Sequence, residues 1–150
     1  MFEHEDRSRL LLIARRALEA RVRGAREPAP EGGGALDTPC GAFVIVDRKA
    51  QRIIGSTRFY GYDPEKSEIE IGWTFLARKY WGGRYNAEMK RLLLNHAFKF
   101  VESVVFFVGE KNIRSQKAME KVGAIKVGTA TRTYGNHPPA RNLKYVIKKR

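Results

Sequence analysis

The chain has 150 residues, 43% of them hydrophobic and 30% charged, which is enough for one folded domain with a core and excludes wholesale disorder. The single cysteine, Cys40, excludes an internal disulfide, no His/Cys cluster has zinc-ligand spacing, and no apolar run approaches the ~20 residues that cross a bilayer, so a metal-free, cytoplasmic protein is expected. The net charge of +13 lies wholly after residue 41: residues 1–41 hold seven Arg and seven acids, whereas 42–150 hold 22 Lys and Arg against nine acids. A surface of this sign suits nucleic acid, anionic lipid or a phosphorylated ligand.

In chain order, residues 8–22 place Leu10, Ile13, Ala14, Ala17, Leu18 and Val22 on one face at helical spacing, predicting an amphipathic helix that docks on the rest of the fold. Ser8 or Asp6 would cap its start, and Gly24 with Pro28 and Pro30 would end it. Residues 23–41 are rich in glycine and proline and read as a loop. The composition then shifts from Arg/Ala/Gly/Pro to Lys, aromatics and β-branched residues, a seam that fits either a helix with its linker or two joined segments. The stretch "SRLLLIARRALEA" followed by "PCGAFVIV" resembles the opening of the AMMECR family over residues 8–46. That family's "RGCIG" stretch is absent here, and the resemblance implies no function.

From Ala42 the pattern alternates. "AFVIV", "RIIGSTRFYG" and "SEIEIGWTF", separated by the turn sequences "DRKAQ" and "YDPEK", predict three antiparallel strands. Tyr85 to Phe100 switches to helical spacing, with Met89, Leu92, Leu93, His96, Ala97 and Phe100 on one face. "SVVFFV" reads as a central buried strand, and "NIRSQKAMEKVG" as a short helix between Asn112 and Gly123. "AIKVGTATRT" and "NLKYVIK" close the chain as two further strands. The expected fold class is α+β (mixed α/β): a mostly antiparallel sheet, an N-terminal helix and two later helices, in a single domain 1–150.

The loop "KYWGGRY" stands between a strand end and a helix start, where unpaired amides and the helix dipole favour an anion. Gly82 and Gly83 would let a phosphate approach the backbone, and Arg78, Lys79 and Arg84 would surround it with positive charge, with Lys90 and Arg91 a turn or more further on. The plain alternative is a glycine turn beside a solvated basic face.

The order of elements resembles the GNAT superfamily of N-acetyltransferases, most of all its RimJ/RimL-like branch. The acetyl-CoA signature of that superfamily, Gln/Arg-x-x-Gly-x-Gly/Ala, falls on Lys79, Gly82 and Arg84. "EIGW" at Glu70–Trp73 matches an "EIG-aromatic" strand, and Asn112, Ser115, Lys121 and Gly123 match "NxxSxxxxxKxG". The resemblance implies acetyl-CoA as co-substrate, held by Lys79, Gly82, Gly83, Arg84, Asn112 and Ser115 in a gap between splayed strands. It also implies a primary amine or protein N-terminus as acceptor and Glu70 as the base. Against these stand simpler roles: a solvated strand carboxylate for Glu70, and caps of the second helix for Asn112 and Ser115. His96, on an apolar helix face, is expected to be structural. The superfamily ordinarily begins with a strand and two helices, so the single helix read here suggests a hybrid or engineered chain, with a non-catalytic, self-associating protein or homodimer as the other reading. No helix-turn-helix, zinc-finger or RNA-binding signature favours nucleic acid.

Overall fold

The computed structural model describes residues 9–14, 41–133 and 136–150. Among the described residues, seven strands form one sheet: β1 (Leu10–Ala14), β2 (Gly41–Asp47), β3 (Arg52–Asp63), β4 (Glu68–Leu76), β5 (Ser103–Gly109), β6 (Ile125–Arg132) and β7 (Ala140–Lys148). Two described helices, α1 (Tyr85–Ala97) and α2 (Ile113–Lys121), separate β4 from β5 and β5 from β6. The spatial order is β1-β2-β3-β4-β5-β7-β6, antiparallel throughout except for the parallel β4–β5 pair.

The three antiparallel strands after Ala42 form as the alternation predicts. Asp47 closes the first turn by accepting from the amides of Lys49 and Ala50, and Asp63 closes the second by accepting from Glu65 and Lys66. Gly55 lets β3 and β4 approach closely, because a Cβ there would lie 2.0 Å from the carbonyl oxygen of Phe75. The final hairpin also forms, but β7 inserts between β5 and β6 and leaves β6 at the sheet edge.

One expectation is corrected. Residues 10–14, read as the first turns of a docking helix, are strand β1, paired antiparallel with β2 from Leu10↔Asp47 to Ala14↔Phe43. A run of "LLLIA" fits a buried strand as well as a helix face, and pairing with β2 decides between them. Residues 15–22 of that expected helix lie outside the described residues. Arg9 ties this edge to α1: its backbone N–H donates to Glu88 at 2.7 Å, and its guanidinium lies 5.4 Å from the Tyr85 ring centroid.

α1 buries Met89, Leu92, Leu93 and Ala97, against a core that includes Phe43, Phe59, Ile69, Ile71, Val104 and Phe106. The His96 ring lies 6.1 Å from the Phe59 ring centroid and 5.2 Å from that of Phe100. Among the described residues no helix is long and apolar enough to cross a membrane, and no group of three or more potential ligands could hold a metal.

Candidate active site

The parallel pairing of β4 with β5 runs only from Glu68↔Ser103 to Glu70↔Val105. Beyond it β4 bulges. Ser56 pairs with Phe75 and Arg58 with Gly72, so two residues of β4, Trp73 and Thr74, oppose one of β3, and Trp73 takes a left-handed φ of 49°. A bulge adds twist and turns a strand from its neighbour, here parting β4 from β5.

A cavity of about 320 Å³ lies beside this part of β4, bounded by the loop 81–83, α1 and α2. Leu76, Tyr80, Met119 and Val122 give it apolar walls, while Lys90, Arg114, Lys117 and Lys121 bring cations. Gly82 and Gly83 line its mouth. Gly82 adopts φ +70°, and nothing lies within 4 Å of where its Cβ would be, so its backbone stands open. Arg84, the residue before α1, makes no side-chain cap, so the first amides of that helix are left for another acceptor. Trp81 fixes the loop by donating its indole N–H to the Leu76 carbonyl at 2.7 Å, and Arg114 stacks 3.8 Å from its ring centroid.

The other residues singled out from sequence divide. Ser115 lines the cavity, and its amide donates to Asn112 Oδ1 at 3.1 Å; Asn112 therefore caps α2 and is not among the lining residues. Lys79 and Arg84 are exposed beside the loop without lining the cavity, and the Lys79 ammonium lies 5.1 Å from the Tyr80 ring centroid. Glu70 is only 6% exposed, outside the cavity lining, and accepts from Arg132 at 2.9 Å. Burial pushes its carboxyl above the usual range, and Arg132 opposes that only in part. Glu68, on the same strand, accepts from Lys144 at 3.4 Å.

Sequence reasoning passed over Arg114, which holds the loop tryptophan, and read Lys90 only as a cation beyond the loop, whereas it is buried at 4% exposure. The Lys90 ammonium donates to Thr74 Oγ1 at 3.3 Å and lies 5.0 Å from the Phe106 ring centroid. Burial pushes its pKa down to about 8. Its place three residues before Leu93 and seven before Ala97, on the apolar stripe of α1, was the available signal.

These features fit a thioester of coenzyme A. An open glycine backbone and uncapped helix amides suit a diphosphate, and a partly apolar cavity between β4, α1 and α2 suits an extended arm. The acetyltransferase (GNAT) domain family matches residues 14–125, and the chain belongs to that family. The matched range includes residues on both sides of the compositional seam near residue 41. A solved protein of T. thermophilus, described by inference as an acetyltransferase, is 30% identical over 88% of this chain and 66% of its own, with a TM-score of 0.64. The chain thus spans just under two thirds of that relative. A ribosomal-protein-S5-alanine acetyltransferase from Vibrio fischeri is 17% identical over 98% of this chain and 95% of its own, with a TM-score of 0.67. A spermidine N-acetyltransferase chimera from Vibrio cholerae and hSSAT is 17% identical over 94% and 96%, with a TM-score of 0.68. The last two share the fold alone. No curated protein matches the chain.

Proposed function

We propose that this chain binds acetyl-CoA in the cleft beside β4 and transfers its acetyl group to a primary amine. The observation that carries the reading is the end of β4–β5 pairing at Glu70↔Val105, beside a loop where Gly82 turns bare backbone outward. Acetyl-CoA supplies the activated acyl group and a thiolate leaving group. The amides of Gly82, Gly83 and the first turn of α1 take the diphosphate, with Lys79, Arg84, Lys117 and Lys121 as mobile counter-charges around it. Ser115, on the first turn of α2, contributes a hydroxyl at the wall of the cleft. Asn112 serves by fixing that turn through its cap.

Glu70 is the proposed proton acceptor. Its raised pKa brings it nearer the range useful for general base work, and Arg132 keeps part of its anionic character. Because Glu70 does not line the cleft, it acts through water rather than by direct contact with the amine. α2, "IRSQKAMEK", carries no tyrosine, so protonation of the departing thiolate falls to water.

A protein N-terminus is the favoured acceptor. On β3 and β4, at the bulge, Arg58 lies 5.4 Å from the Trp73 ring centroid, and Tyr60 packs edge-on to Trp73. A fixed guanidinium at this position repels a polycation more than a peptide bearing one ammonium. Nothing supports the hybrid reading, since one family match spans both sides of the seam.

The test is release of free thiol from acetyl-CoA in the presence of alanine-, serine- and methionine-starting peptides or spermidine. Peptide-dependent release that exceeds the spermidine rate is expected. Absence of thiol release with every amine, from protein shown to be folded, would refute transfer.

A further inference from the structure

We propose that Lys90 is a co-substrate-binding residue, donating from its buried ammonium to a carbonyl oxygen of the amide arm of acetyl-CoA. The inference rests on the reading of the cleft given above and adds a recognition element on its floor.

An ammonium has three N–H donors and no acceptor. Among the described residues, one of these is used, on Thr74 Oγ1 at 3.3 Å, and no carboxylate pairs with Lys90. The Phe106 ring face, 5.0 Å away, gives partial compensation. A cation 96% removed from solvent with two donors unspent is costly, yet its side chain borders the cavity. Such a group is retained where something entering the cavity accepts from it.

Position identifies what enters. Lys90 lies five residues past Tyr85, about 7–8 Å along the axis of α1 from the turn that offers amides to a diphosphate. Its head lies against Thr74 of β4 and Phe106 of β5, where the two strands have ceased to pair. A diphosphate at the mouth leaves this depth to the neutral, amide-containing arm. The more exposed Arg114, Lys117 and Lys121 remain available for phosphate charge near α2.

Calorimetric titration tests this with two probes on the whole chain: coenzyme A, and adenosine 3′,5′-bisphosphate, which carries nucleotide phosphates without the arm. Lys90→Met should weaken coenzyme A binding about 10-fold, the scale of one hydrogen bond to a charged group, and change nucleotide binding less than about 2-fold. Lys90→Gln, which retains N–H donors on a shorter stem, should fall between wild type and Lys90→Met, and it carries the test if the methionine variant does not fold. Equal losses for both probes, or unchanged coenzyme A affinity in the substituted protein, would overturn the assignment. Failure of the wild-type chain to bind coenzyme A would instead strike the underlying reading of the cleft.

Discussion

The guanidinium of Arg132 donates to Glu70 Oε2 at 2.9 Å and lies 4.1 Å from the ring centroid of Phe107, joining the edge strand β6 to β4 and β5 at the point where those two begin to part. Glu70→Gln keeps the shape and an acceptor for Arg132 but removes the basic oxygen. Turnover with a peptide acceptor should fall on the order of 10²–10⁴-fold, while the midpoint of thermal unfolding stays within a few degrees. Removing the cation by Arg132→Met should raise the Glu70 pKa further, moving the acid limb of the kcat/KM profile to higher pH.

The sign of the Glu70 contribution to stability follows from its raised pKa. The folded state holds that proton more tightly than the unfolded chain, so the contribution is present at low pH and lost as pH rises through the folded value. Wild type compared with Glu70→Gln in urea should show a difference that moves against wild type between pH 4 and neutrality.

Lys90 works in the opposite direction along the pH scale. Its folded pKa of about 8 lies below the ordinary 10.5, so the penalty for burying the ammonium is fully present below pH 8 and is relieved as pH rises toward 10.5. Arg114, Lys117 and Lys121 line the same cavity and add no negative charge to offset it. Lys90→Met should therefore stabilise the unliganded chain at pH 7 by up to about 3 kcal/mol, with the gain shrinking toward pH 10.5. Denaturant midpoints of both proteins across that range check this.

Two glycines should respond differently to alanine. At Gly55 an added Cβ would strike the Phe75 carbonyl oxygen, and both atoms belong to paired backbone; a loss of about 3 kcal/mol or more and a visibly lower unfolding midpoint are expected. At Gly82 nothing obstructs the Cβ, and only the left-handed φ is strained, at about 1–2 kcal/mol. Gly82→Ala should instead show itself in coenzyme A affinity, measured in the same preparation.

Two contacts of Trp81 hold the loop: its indole N–H donates to the Leu76 carbonyl, and Arg114 stacks on its ring. Arg114→Ala should loosen the loop and weaken coenzyme A binding about 3–10-fold, with little effect on global unfolding because both side chains are exposed.

Local periodicity revealed most of this fold because β2 to β5 and both described helices have strong, short-range patterns. It failed at Leu10–Ala14, where an apolar run fits either element and the choice depends on pairing with a strand about 30 residues away. It was silent on β7 entering between β5 and β6, since strand order is a tertiary property. In the cleft, glycine spacing announced the loop, but the Lys90 ammonium between Thr74 and Phe106 depends on three separate elements meeting. Asn112 was readable from sequence as a ligand contact or as a helix cap, and its Oδ1 takes the capping position by accepting from the Ser115 amide.

The proposed transfer requires that the opening between β4 and α1 accept coenzyme A. In a crystal structure grown with coenzyme A, the diphosphate should lie against the amides of Gly82, Gly83 and Tyr85, with the arm running past Thr74. Coenzyme A bound on another face, or crystals grown at saturating concentration with that opening filled by the chain's own side chains, would contradict it.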